Sequence, residues 1–381
     1  MRTVLAVLGV LAATNICSST NVTESRSGKT FSLFSIVQFP NQQCTASSSS
    51  STYGTCYTSS ECTTKGGSAD GNCAAGFGVC CVIHTSSCSA VISTNTTYIR
   101  NPNYPSTYTP SSAGTCAYTV NKVSADVCQL RLDFQTMTGY YTGTSGLCGV
   151  DDFAAAGATG VDPPTICGTN TGYHMYVEFG ATSTDSVTLT NTWRSGGLTT
   201  AKTYNILARQ ISCTAKWKAP TDCVQYFTGI SGNVKSYNFA GSQVLLSQNY
   251  VNCIRTELGM CAIQWKVSST TSPDPFGVGV VGAYIQSDGC DTSTVGAFVH
   301  IPNMSQDGIQ KLNIGVAQPA ANTLAFQSQQ CGQYFGIDGM GTIQQPLVSR
   351  QKPFVLGMYS DASTAQPSLT GFSLDYTQIP C

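Results

Sequence analysis

Several stretches of the chain alternate apolar and polar residues with period two. Cys128, Leu130, Leu132 and Phe134 alternate with Gln129, Arg131 and Asp133, and Cys261, Ile263, Trp265 and Val267 alternate with Ala262, Gln264 and Lys266. Successive side chains of a strand point to opposite faces, so each stretch predicts a half-buried strand with its cysteine on the apolar side. A helix would scatter these residues around its axis. The rest of the chain is rich in turn and β-branched residues and has no long 3.6-residue period, which predicts an all-β fold of antiparallel β-sandwiches. Two stretches end alike: Tyr204-Asn205-Ile206-Leu207-Ala208-Arg209-Gln210-Ile211-Ser212-Cys213 and Phe372-Ser373-Leu374-Asp375-Tyr376-Thr377-Gln378-Ile379-Pro380-Cys381. Aromatic, aliphatic, Gln-Ile and final cysteine fall in register, so the two regions read as copies of one unit. In both, the aromatic and aliphatic residues keep one parity while the isoleucine and cysteine take the other. That slip predicts a break in the ladder near Arg209–Gln210 and near Thr377–Gln378.

The first residues have another pattern. Arg2 precedes an apolar run from Val4 to Ala13, and small polar residues come after it. This is the form of a secretory signal, expected over 1–19 with cleavage between Ala13 and Ser19. The run is shorter than the roughly 20 residues that span a bilayer, and no later segment is long and apolar enough for a membrane anchor. The expectation is a secreted, extracellular protein. An N-terminal segment, 20–43, carries the apolar stretch Phe31–Phe39, expected to pack on a sandwich as an extra strand.

Cysteine usage sharpens this picture. Of 19 cysteines, Cys17 would leave with the signal. The other eighteen form three groups of six, over 44–81, 88–213 and 223–381. An even number in an oxidising compartment fits nine disulfides. Asn21, Asn95 and Asn303 open glycosylation sequons. The first group occupies too short a segment to bury a core of its own and needs covalent support.

Only 10% of residues are charged, against roughly 25% in ordinary soluble proteins. With 18 Lys and Arg and a net charge of −1, nucleic acid is excluded as a partner class, because phosphate binding needs a basic face. Catalytic chemistry finds little support. His84, His174 and His300 are isolated in sequence, no His-Glu-x-x-His or Gly-x-Ser-x-Gly stretch occurs, and the cysteines are wanted for disulfides. Asp151 and Asp152 adjoin, and strand neighbours face opposite ways. No catalytic residue, cofactor or metal is assigned, and the chain is expected not to be an enzyme. Recognition falls instead to loops. Thr138–Gly146 is rich in Tyr, Gly, Ser and Thr and offers Tyr140 and Tyr141. Ser268–Gly277 offers Phe276.

Asn101-Pro102-Asn103-Tyr104-Pro105 resembles the signature near the start of a CUB domain. The strand carrying Cys116-Ala117-Tyr118, then Cys148-Gly149-Val150-Asp151 and Ile166-Cys167-Gly168, are similar to further landmarks of that family. In the second copy, Pro353–Ser363 with Gly371–Tyr376 after it resembles the family's closing strands. The resemblance covers 88–381 and implies two-disulfide antiparallel sandwiches, with Cys88–Cys116, Cys148–Cys167, Cys223–Cys253 and Cys290–Cys331. Each copy then keeps two cysteines outside the pattern. One opens a core strand and one ends the last strand, giving Cys128–Cys213 and Cys261–Cys381. The first group resembles the clip knot that precedes arthropod serine proteases, which implies Cys44–Cys80, Cys56–Cys73 and Cys62–Cys81 among 15 possible pairings. No protease sequence comes after it. The arrangement resembles secreted CUB proteins of arthropods.

Many CUB domains bind calcium, through carboxylates. Asp151 and Asp185 match two of that family's acids, but none stands at Gly139–Gly143, where the family has a glutamate; the second copy offers only Asp361 and Asp291. Turn capping is the reading preferred for these aspartates. The functional expectation is a non-enzymatic binding or adhesion protein recognising an extracellular protein or glycan. The alternatives are a structural matrix or cuticle component and, further off, a regulator in a proteolytic cascade.

Overall fold

A computed structural model describes residues 37–143, 145–157, 159–269, 274–279, 290, 296–305, 327–336, 344–362 and 369–381. The chain divides into Met1–Phe39 and Pro40–Cys381. Of the first unit only Val37–Phe39 is described, and it has no regular structure. The signal segment, Asn21 and most of the expected extra strand therefore lie outside the described residues.

The second unit begins with a four-stranded sheet, ordered Gln43–Thr45, Tyr53–Tyr57, Gly78–Val82, Ser68–Cys73. One short helix, Ser59–Thr64, starts here because Thr58 and Glu61 cap each other reciprocally. Cys44–Cys80, Cys56–Cys73 and Cys62–Cys81 join these elements, which are too few to bury a large core. The last knot strand runs on into His84–Thr85, which pairs in parallel with Thr96–Arg100 of the next module. The Tyr53 N–H also donates to Tyr98 Oη at 2.8 Å, so the knot is continuous with the first sandwich.

The region 88–213 is a two-layer sandwich. One sheet is ordered Asp151–Ala156, Ser186–Trp193, Gly114–Asn121, Val91–Ile92. The other is ordered His174–Glu178, Val127–Thr138, Thr203–Ser212, Thr96–Arg100, His84–Thr85. Leu130, Leu132 and Phe134, the apolar parity read from sequence, are fully buried between the layers. Cys88–Cys116, Cys148–Cys167 and Cys128–Cys213 bridge within it.

The region 223–381 differs in one respect. Its described strands form a single ten-stranded sheet instead of two separate layers. Ala297–Ser305 pairs with Phe354–Ser360 through Ala297–His300 and with Leu347–Ser349 through Met304–Ser305, so one bent strand passes between layers. Its register shifts between His300 and Met304, at Pro302-Asn303. Cys223–Cys253, Cys290–Cys331 and Cys261–Cys381 bridge this repeat, and all nine pairs coincide with those written from the sequence. Cys223–Phe227 pairs in parallel with Gln248–Ile254, an exception to the expected antiparallel pattern.

The expected ladder breaks are corrected by the structure. Pairing is regular across Ala208–Ile211 and across Thr377–Ile379; the register shifts lie at Asn205/Ile206, Ile211/Ser212 and Met260/Ala262. The reason is the glutamine. Gln210 and Gln378 keep the inward parity and are buried. Gln210 Nε2 donates to the Asn121 and Thr94 carbonyls, and its Oε1 accepts from Val123 N–H. Gln378 Nε2 donates to the Gly229 and Arg255 carbonyls, and its Oε1 accepts from Glu257 N–H. Each amide thus satisfies backbone groups at one end of its repeat. Ile211 packs on the outer face with Tyr176, Ala219 and Cys223, whereas Ile379 is only half-buried.

Candidate functional site

Loop Thr138–Gly146 lies where the two repeats meet. That seam is built from backbone-directed polar contacts. Tyr226 N–H donates to His174 Nε2 at 2.9 Å, and Tyr237 Oη donates to the His174 carbonyl at 2.9 Å. Asn238 N–H donates to Asn170 Oδ1, and Thr169 N–H donates to Asn238 Oδ1, both at 2.8 Å. Burial, chiefly, and the nearby Arg131 hold the His174 imidazole down to a pKa of about 3, so it is neutral and free to accept.

The structure separates the two tyrosines singled out from sequence. Tyr140 is buried, and its hydroxyl donates to Asn191 Oδ1 inside the first sandwich. Its ring is core and is not available to a partner. Tyr141 is 41% exposed. Phe276 is also corrected: it is fully buried, edge-on to Phe335. Residues 270–273 of its loop lie outside the described residues.

Three hydrogen bonds pin the loop that carries Tyr141, and a buried ion pair backs one of them. Tyr141 N–H donates to Asp151 Oδ2 at 2.9 Å. The Lys202 ammonium pairs with the same oxygen at 3.1 Å, with both side chains fully buried. Thr142 Oγ1 donates to Gln243 Oε1 at 2.6 Å, and Leu246 N–H donates to the Gly146 carbonyl at 3.0 Å. Backbones approach closely here. A Cβ on Gly139, whose φ is +81°, would lie 2.0 Å from the Ala201 carbonyl oxygen, and one on Gly197 would lie 2.2 Å from Asp151 Oδ1. Leu147, six residues along the chain from Tyr141, is also 41% exposed. The result is an aromatic and an aliphatic side chain presented on an immobilised loop.

Asp151 does not suit calcium. The Lys202 ammonium already neutralises it, donating also to the Gly197 and Thr200 carbonyls, and a second cation would meet repulsion in a site without solvent. Asp185 cannot join it. The strand Ser186–Trp193 starts beside Asp185, and Asp151 pairs with Trp193 at its far end, roughly 20 Å away. Asp185 instead accepts from Thr182 N–H, as a turn cap. Asp361 lies in the backbone pairing of Ser247 and Gly296, and Asp291 lies outside the described residues. Among the described residues no group of three metal-ligating side chains is gathered. His84 is exposed at the knot edge, His174 is buried in the seam and His300 is on the bent strand.

Sequence reasoning missed one further feature. An open cleft of about 1180 Å³ lies between the knot, the first sandwich and the linker to the second repeat. Arg131 and Arg209 line it, both paired with Asp133 at 2.8 and 2.6 Å. Trp217, in the linker, stands 62% exposed on its rim. The cleft joins segments far apart in sequence, and the only signal for it was a tryptophan in a short, polar linker.

Fold and cysteine pairing define a disulfide-rich, nearly all-β chain of tandem sandwiches behind a small cystine-stapled module. Residues 220–379 match the animal CUB domain family, so the second repeat is a CUB domain. Among solved structures the chain is similar to the CUB1-EGF-CUB2 domain of human MASP-1/3, at 14% identity over 75% of this chain and 100% of that one, TM-score 0.23. The rat MASP-1 CUB1-EGF-CUB2 domains give 12% identity over 76% and 99%, TM-score 0.25. The full extracellular region of zebrafish Gpr126/Adgrg6 gives 12% over 77% of this chain and 34% of that one, TM-score 0.27. No curated protein matches the chain. Disulfides and a CUB domain together suggest an extracellular protein, and no helix among the described residues is long and apolar enough to cross a membrane.

Proposed function

We propose that the protein is a secreted, non-enzymatic binding protein whose two sandwiches, both of CUB type, present the Tyr141 loop to another extracellular protein. One observation carries this reading: Tyr141 and Leu147 are exposed on a loop fixed by Asp151, Gln243 and Leu246. An apolar pair held rigidly loses little conformational entropy on association, and an accessible tyrosine offers a large amphipathic contact. The low charge fits contacts through aromatic and hydrogen-bonding groups. The N-terminal signal and the sequons support the secretory route.

The test is affinity capture from extracellular fluid with the full chain as bait, with and without Tyr141→Ala/Leu147→Ala. Tyr140 stays untouched because it belongs to the core. Saturable capture lost in the double variant is the expected result. Equal capture by both baits would remove the loop from the binding face.

A further inference from the structure

The cleft beside the knot is separate from the Tyr141 loop and carries its own chemistry. The side-chain amides of Asn41, Gln42, Gln43 and Asn95 line it, and none is engaged with another described residue. Each amide both donates and accepts. Arg131 and Arg209 share Asp133, and Asp126 lines the same cleft, so two cations stand against two carboxylates. On the rim, the Trp217 indole is 62% exposed. Amides without partners, compensated charge and a bare indole suit a ligand whose hydroxyls also donate and accept and whose rings have one apolar face. That is the chemistry of a neutral carbohydrate. An anion would need uncompensated positive charge, and an apolar ligand would leave the amides unpaired.

Asn95 supplies that carbohydrate. It opens the sequon Asn95-Thr96-Thr97 and itself lines the cleft. We propose that the cleft is the seat of the glycan attached to Asn95 of this same chain, with its first sugars against Trp217 and the Asn41–Gln43 amides. The inference rests on the secretory reading above. In the attachment step Asn95 Nδ2 forms a bond to the anomeric carbon of a polyprenyl-pyrophosphate-linked oligosaccharide. The sugar–phosphate bond breaks, the pyrophosphoryl lipid leaves with the bonding pair, and the amide proton passes to base. Covalent attachment a few ångströms from the cleft gives the sugar an effective concentration of about millimolar or more, which favours it over a glycan from outside. Because the cleft wall comes from the knot, the first sandwich and the linker, the seated glycan braces all three.

Glycopeptide mass spectrometry of the secreted full chain, with acrylamide quenching of tryptophan fluorescence, tests this. Trp193 and Trp265 are buried, so Trp217 is the quencher-accessible indole, and Trp217→Phe confirms the assignment. Asn95 is expected to be occupied. Asn95→Gln, or enzymatic removal of the glycan from the folded wild-type protein, should roughly double the quenching constant as the indole face is uncovered. Asn303→Gln, at an exposed sequon, should leave quenching unchanged. Asn95 unoccupied while Asn303 is glycosylated would overturn the proposal and leave secretion standing. Retention in the cell with no sequon occupied would overturn both. An occupied Asn95 with unchanged quenching would mean the glycan points away. Binding of free N-glycan core oligosaccharide to wild-type protein with Asn95 empty would assign the cleft to a partner's glycan. Each of these two results also refutes the proposal.

Discussion

The two repeats solve the same problem at one end and different problems at the other. Where the last strand finishes, they match closely. Gln210 and Gln378 each satisfy two carbonyls and one N–H, and Cys128–Cys213 and Cys261–Cys381 each lock the terminal strand to its neighbour. Where that strand begins, they part. The first repeat buries Lys202 against Asp151 and threads its Tyr141 loop over them. By the register of the terminal strands, Thr370 stands where Lys202 does, and it bonds the exposed Asp274 carbonyl beside buried Leu369, Phe276 and Phe335. One repeat closes its end with charge, the other with rings. The polar closure fixes a surface loop; the apolar closure only fills a core. Landmark motifs and the family match also divide between the copies. Pro102-Asn103-Tyr104-Pro105 stands in the first repeat, while the CUB match covers the second.

The comparison can be broken in four places. The largest effect should come from the shared disulfides. Their sequence separations of 85 and 120 give chain-entropy contributions of about 4.6 and 4.9 kcal/mol. Replacing either pair by serine should lower urea stability by nearly equal amounts, and a large inequality would show that the two staples are not equivalent. Next is Lys202→Ala, which leaves a carboxylate buried without its partner and should cost about 3–5 kcal/mol in denaturant melts. The double change Lys202→Met/Asp151→Leu should recover most of that loss, and Thr370→Ala should stay within about 0.5 kcal/mol. A Thr370 effect as large as that of Lys202 would erase the distinction between the ends. Gln210→Ala and Gln378→Ala should each cost about 1–3 kcal/mol by orphaning buried backbone groups, with increased hydrogen exchange at Val123 and Glu257 respectively.

The most local effect is on acid stability, absent at neutral pH and growing only as the pH falls below about 6.5. Folded His174 takes a proton only near pH 3, whereas the unfolded chain takes one near 6.5. The unfolded state therefore binds more protons between those values, and stability falls with falling pH there by up to about 1.4 kcal/mol per unit. His174→Gln should flatten that slope. His300, whose pKa burial also lowers but which is only partly covered, should contribute less. An unchanged pH profile in the His174 variant would detach the seam from acid sensitivity.

Strand positions, the tandem repeat and the three cysteine groups were legible because period two and covalent spacing are local properties. The alternation in Cys128–Phe134 and Cys261–Val267 says which face is apolar whatever else the chain does. The Gln-Ile step was misread for the same reason. Hydropathy alone assigns glutamine outward, and only the carbonyls of Asn121 and Gly229, 89 and 149 residues away, draw it in. A cleft made from Asn41, Asn95 and Trp217 has no linear pattern at all.

What the sequence by itself determined was therefore the set of modules: all-β sandwiches, a stapled knot and an oxidising compartment as their expected setting. The tertiary structure decided which parts of them a partner can touch. Tyr140 and Tyr141 are adjacent and chemically identical, yet Asn191 holds one in the core and Asp151 and Lys202 hold the other at the surface. Loops have no periodicity to fix inside from outside, so that choice belongs to groups ten to about sixty residues distant that only folding brings to those positions.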